Sequence, residues 1–180
     1  FLKLSGEDFD RFIAQHPPLV AQNAAAERER FLEMMETAYK MDPHREVVLE
    51  EEDIRCIHES GVKIHGFPDR VEKLDDGSYL VVDFKSAGTI GHVQDDIDTC
   101  LQVVIYAYLM EQKGFKISGG EYRYIRLGET VSCKYDQAMK DALENKLTDF
   151  KDCLLSADFS IPDNAYETNR EKDDPDPCKY

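Results

Sequence analysis

The chain is short of positive charge: 22 Lys and Arg stand against 37 Asp and Glu, a formal net charge of −15. Proteins that grip nucleic acid by its phosphates usually carry a basic face, so the shortage argues against a strong, self-sufficient nucleic-acid binder. No apolar run approaches the length of a membrane-spanning helix, and no membrane partner is expected. The opening Phe1-Leu2-Lys3-Leu4-Ser5-Gly6 has neither an initiator methionine nor a secretion-signal pattern, so the chain is expected to be a piece of something longer. The cysteines, Cys56, Cys100, Cys133, Cys153 and Cys178, are odd in number and lack the dense spacing of a secreted disulfide scaffold. Reduced thiols in an intracellular, cytoplasmic protein are expected. Internal repeats are also lacking. What is there, 180 residues of 42% hydrophobic content, suffices for one domain with a single core. That domain is expected over residues 1–157, with N-terminal helices in 1–41, and the polar, Pro-containing stretch 158–180 as an extended tail.

Within residues 1–26, Pro17-Pro18 predicts a short helix, a break and a restart. From Glu27 to Met41, Phe31, Leu32, Met35, Ala38 and Tyr39 make one helical stripe, ended by Asp42-Pro43. Glu46–Glu51, Asp53–His58, Val62–Lys73 and Ser78–Ser86 read as strands of an antiparallel meander. A helix follows from about Val93 to Gln112, closed by Gly114. Glu121–Leu127 reads as a strand that joins the sheet by crossover, and Tyr135–Leu155 as a second amphipathic helix.

Chemistry concentrates on one hairpin. Its arms are Gly66-Phe67-Pro68-Asp69-Arg70 and Val81-Val82-Asp83-Phe84-Lys85-Ser86, joined by the turn signal Leu74-Asp75-Asp76-Gly77-Ser78. With the hairpin centred on Asp76, residues whose numbers sum to 152 face each other, which sets Asp69 against Asp83 with Cβ atoms roughly 4.5–5.5 Å apart. Two opposed carboxylates repel, so a cation is required between them: a divalent metal ion or Lys85. Alternation puts Asp83 and Lys85 on one face and Leu80, Val82 and Phe84 on the other, so an apolar face can enter a core while the charged face opens on a cleft. The plainer alternatives are a solvated surface hairpin with Lys85 bridging two carboxylates, or an acidic interaction domain.

Pro68-Asp69 followed by Asp83-Phe84-Lys85 resembles the PD-(D/E)xK nuclease signature. With Gly-x-x-Asp-Arg, Asp-x-Lys-Ser and Gln102-x-x-x-Tyr106, the chain looks like the RecB-type exonuclease branch, and most like AddB-type nuclease domains. The resemblance implies a restriction-endonuclease-like α/β fold, a mixed central sheet with flanking helices in the order αβββαβ. It implies a Mg²⁺- or Mn²⁺-dependent deoxyribonuclease in a helicase–nuclease for double-strand break repair, with DNA and a partner subunit as partners. Asp69, Asp83 and the Phe84 main-chain carbonyl would hold metal, Lys85 would act on water or the developing charge, and Gln102 and Tyr106 would organise the site and touch DNA. Arg70, facing away from Asp69, is expected to be a structural ion-pair residue.

The chain departs from that branch where a metal-binding histidine is expected on an upstream helix in a Gly-x-x-x-His setting. His16 and His44 adjoin prolines, and His65 flanks Gly66 on the strand. His16 is retained as a candidate, Glu33 and Glu36 as stand-ins, and Glu51 as the acidic residue ending the first strand; the true residue is also sought before Phe1. The tail Pro175-Asp176-Pro177-Cys178 resembles the start of the AddB-type cysteine ending that holds a 4Fe-4S cluster, but Cys178 alone cannot hold one. A nuclease-like module without activity, binding DNA or a partner subunit, is the alternative.

Overall fold

The structure, a computed structural model, describes residues 2–15 and 24–156. The tail, Cys178, His16 and the Pro17-Pro18 break lie outside the described residues. Four helices are described, α1 (Leu2–Gln15), α2 (Ala24–Met41), α3 (Ile97–Gln112) and α4 (Gln137–Ser156), with strands β1 (Val47–Glu50), β2 (Ile54–Ile57), β3 (Lys63–Gly66), β4 (Arg70–Lys73), β5 (Tyr79–Lys85), β6 (Ile117–Tyr124) and β7 (Glu129–Lys134).

The hairpin register is the expected one. β4 pairs antiparallel with β5 as Arg70↔Val82, Val71↔Val81, Glu72↔Leu80 and Lys73↔Tyr79, every pair summing to 152. The turn closes through Leu74 N–H to Ser78 O (2.8 Å) and Gly77 N–H to Leu74 O (3.0 Å), with Gly77 at φ 78°. Asp76 Oδ1 accepts the Ser78 amide at 2.9 Å, which fixes the loop from inside.

Strand order is β1-β4-β5-β6-β7 in one mixed sheet, with β2-β3 a separate antiparallel ribbon. The expected meander is thus corrected: β1 pairs with β4, and β2 leaves the sheet with β3. The ribbon buries Ile54 and Ile64 in the main core, which alternation within each strand could not distinguish from sheet pairing. The expected strand Val62–Lys73 breaks at Phe67-Pro68-Asp69, where proline cannot continue a ladder.

α3 is N-capped by Asp96, whose side chain accepts the Asp98 amide, and the chain leaves its far end at Gly114, φ 90°. It starts at Ile97 rather than about Val93. It returns the chain to a strand parallel to β5, Asp83↔Tyr122 and Lys85↔Tyr124, the crossover expected of this connection. β6 begins at Ile117, four residues before the sequence signal, because Ser118-Gly119-Gly120 is poor in strand-forming side chains. Gly120 is required there: a Cβ would stand 2.1 Å from Val103 Cγ1, so only glycine lets α3 approach this closely. β7 was not anticipated, although Thr130-Val131-Ser132-Cys133 after Gly128 (φ 72°) is an ordinary strand start.

The main core lies between the sheet and α3, with α4 packed on α3. Val81, Cys100, Val103, Val104, Ala107 and Tyr122 are buried there. The other sheet face, carrying Leu80 and Val82, holds a buried ion cluster. Arg123 donates to Glu72 with both Nη atoms (2.6 and 2.7 Å), and Arg45 reaches Glu72 at 3.3 Å. α2 lies along this face, where Thr37 Cγ2 would meet a Cβ at Gly128 at 3.5 Å and Asp42 pairs with Arg70 at 2.9 Å. As expected, Leu80 and Val82 are buried, though beside the ion cluster, while the expectation of an open charged face is corrected for Asp83, which is buried on the α3 side. Alternation assigns residues to faces but says nothing about which face a helix covers.

Cys100 in α3 and Cys133 in β7 form a disulfide, Cα–Cα 6.5 Å, so the expectation of reduced thiols is corrected for this pair. Cys56 and Cys153 are free. No described helix is long and apolar enough to cross a membrane.

Candidate active site at the end of the central strands

The β4–β5 ladder stops at Arg70↔Val82, and Asp69 is the next residue out. Phe84 N–H, which finds no β4 partner beyond that point, donates to Asp69 Oδ2 at 2.7 Å. The break at Pro68 therefore turns Asp69 from a ladder residue into a side-chain acceptor and anchors its carboxylate beside β5.

Asp83 is 3% exposed. Its Oδ2 lies 2.7 Å from Lys85 Nζ, yet this buried oxygen has no aligned hydrogen-bond donor. The ammonium and this oxygen form a close ion pair whose heavy-atom angles are poor for a hydrogen bond. Lys85 donates to Gln102 Oε1 at 2.8 Å, and Gln102 Nε2 donates to Tyr106 Oη at 2.9 Å. Lys85 Nζ also stands 5.2 Å from the centroid of the Tyr122 ring. Burial pushes the Asp83 carboxyl above the usual range; Lys85 opposes this and Asp69 adds to it. Burial likewise pushes the Tyr122 hydroxyl up to about 12, so that ring is a neutral wall.

Arg70 is the ion-pair residue expected, held by Asp42 at 2.9 Å and Glu50 at 3.1 Å, with its guanidinium carbon 5.3 Å from the centroid of Phe84. Glu51 lies at the end of β1 with φ 49°, its amide bonded to Pro68 O at 3.0 Å. It shares a cavity of about 510 Å³ with Glu50, Asp69, Arg70 and Phe84. Glu36 is exposed on α2 and paired with Lys40 at 2.7 Å, and it does not line that cavity. On the α3 side a second cavity of about 610 Å³ is lined by His65, Phe67, His92, Gln102, Tyr106 and Tyr122 among others.

His92, in the loop after β5, was missed by sequence reasoning. Its ring stacks on Tyr122 at 3.5 Å and 14°, and Nδ1 lies 2.5 Å from Tyr124 Oη. Burial and then Lys85 lower its pKa, which favours the neutral ring. A signal was present: Gly88 and His92 have Gly-x-x-x-His spacing, but in a loop downstream of Asp83 rather than on an upstream helix.

Asp69, Asp83 and the Phe84 carbonyl are hard oxygen donors of the type Mg²⁺ and Mn²⁺ take, and the buried Asp83 oxygen, held only by the Lys85 ion pair, keeps a lone pair that a metal ion would use. Among the described residues no group of three or more His, Cys, Asp or Glu converges to hold a metal ion, so the protein donors form a partial set. Such a set suits a hydrated ion that keeps several waters.

The chain matches the PD-(D/E)XK nuclease superfamily over residues 3–180, and it belongs to that superfamily. The five-stranded mixed sheet flanked by helices is the restriction-endonuclease-like fold expected. A solved structure titled "Crystal structure of SSO0001" is similar at 16% identity over 77% of this chain and 68% of that chain, with a TM-score of 0.41. No curated protein matches the chain.

Proposed function

We propose that the chain is the nuclease domain of a RecB/AddB-type helicase–nuclease, a metal-dependent DNA exonuclease acting on double-strand breaks with a partner subunit. The observation that carries the reading is the buried carboxylate of Asp83, paired with Lys85 at 2.7 Å and beside Asp69. Mg²⁺ or Mn²⁺ held by Asp69, Asp83 and the Phe84 carbonyl would make a water nucleophilic near neutral pH and offset phosphate charge. Lys85, held by Gln102 and the Tyr122 face, positions that water or neutralises charge developing on the phosphate. Tyr106 fixes Gln102 and so fixes Lys85. In the full protein a 4Fe-4S cluster would include Cys178. The net charge of −15 fits a domain that relies on its partner for much of its DNA affinity.

The test uses the full-length protein on end-labelled single-stranded and duplex DNA with Mg²⁺, Mn²⁺ or EDTA. Metal-dependent cleavage is expected, lost by at least about 100-fold in Asp83→Asn and in Lys85→Ala, as removal of a preorganised electrostatic group usually costs. Cleavage that survives both changes would falsify the reading. The partial donor set favours a second reading, a nuclease-like module without activity that binds DNA or a partner subunit. Calorimetry decides between them: no heat at millimolar Mn²⁺ supports the inactive module.

A further inference from the structure

From Lys63 to Pro68 burial alternates, with Lys63, His65 and Phe67 exposed and Ile64, Gly66 and Pro68 buried. The exposed residues form a strip that leads to Asp69. Phe67 is 50% exposed, and its ring meets His65 edge-on, centroids 6.1 Å apart. Lys63 forms no ion pair among the described residues, unlike most lysines here. A cavity of about 430 Å³ beside Lys63 and the 610 Å³ cavity beside Gln102 are separate but both reach His65, so the strip borders both. Among the described residues the one acidic residue lining these two cavities is Asp98, which Lys146 holds at 2.5 Å, while Glu50 and Glu51 stand with Asp69 in the cavity beyond Phe67.

We infer that this strip is the track for a single strand of DNA, with Phe67 and His65 as the surface on which an unpaired base stacks and Lys63 as a phosphate contact. The inference rests on the nuclease reading for its substrate. A strip combining an exposed lysine outside any ion pair with exposed rings matches a sugar-phosphate backbone carrying splayed bases. A duplex hides its base faces in its own stack, so an exposed ring at the lip discriminates for unpaired bases. Phe67 and Asp69 are two residues apart, at most about 7 Å between Cα atoms, so a base on Phe67 lies next to the phosphate that Asp69 addresses.

The experiment is fluorescence anisotropy of full-length protein with labelled oligothymidylate in EDTA at fixed salt, beside a duplex of equal length. Phe67→Ala is expected to weaken single-strand binding about tenfold, the size of one base–aromatic stack, and to leave duplex binding unchanged. Phe67→Tyr should stay within about twofold of the parent. Lys63→Ala should weaken binding and lower the salt slope by about 1. Equal binding by Phe67→Ala and parent, equal loss on single strand and duplex, or failure of Phe67→Tyr to restore binding each overturns the inference. Phe67-dependent binding without any metal-dependent cleavage sinks only the nuclease reading. Cleavage abolished by Asp83→Asn, together with Phe67-independent binding, sinks only the role of the strip.

Discussion

Gly66→Ala reaches the site through packing alone. A Cβ at Gly66 would stand 2.5 Å from Tyr106 Cε1, 2.9 Å from Cδ1 and 3.4 Å from Leu109 Cδ1. The ring cannot simply turn aside, because its hydroxyl receives the Gln102 amide at 2.9 Å and Gln102 in turn receives Lys85 at 2.8 Å. Overpacking of this kind costs about 1–3 kcal/mol, and for a chain of this size each kcal/mol lowers Tm by about 2–4 °C. Gly66→Ala should therefore melt about 2–12 °C lower and lose cleavage beyond its loss of stability, since Lys85 loses its orientation. In a Tyr106→Ala background the same alanine should cost less than about 0.5 kcal/mol, because the two changes share one contact. Denaturant titration of the four variants of the cycle, with cleavage rates beside it, makes the check. Additive costs, or a Gly66→Ala protein with parent stability and rate, would refute the chain from Gly66 through Tyr106 to Lys85.

Other outcomes are expected away from that contact. Glu72→Ala removes the bidentate partner of the buried Arg123 guanidinium but leaves Glu121 at 2.9 Å, and should cost about 1–3 kcal/mol in urea unfolding, whereas no measurable loss would show the Glu72 pair to be dispensable. Burial raises the Asp42 carboxyl, but the His44 amide and Arg70 outweigh it and hold it below the usual range. Its stabilisation is present above the unfolded value of about 3.9 and lost as pH falls through the folded one, so Asp42→Asn should be less stable than the parent at pH 7 and converge with it below about pH 4. A gap that persists or widens in acid would contradict this. Replacing Cys100 and Cys133 with alanine opens a loop whose ends are 33 residues apart and should cost about 2–4 kcal/mol under oxidising conditions and much less with reductant. An equal effect in both would mean the sulfurs matter for packing only.

The hairpin, its register and its charged residues were legible because they depend on near neighbours. Gly77 needs a left-handed φ, Pro68 ends a ladder, and a two-residue period fixes which numbers face each other. Arg70 as an ion-pair residue and Gly114 at the end of α3 follow from equally local rules. The histidine stacked on Tyr122, the pairing of β1 with β4, the disulfide between α3 and β7 and the direction of each sheet face were not legible. Each depends on contacts between segments far apart in the chain, such as His92 with Tyr122 or Cys100 with Cys133, and no period within one segment encodes them. The glycine at 120 shows the division in a single residue. From the chain it weakens a strand, and only α3 lying 2.1 Å from its missing Cβ makes it the residue that lets Gln102 and Lys85 meet.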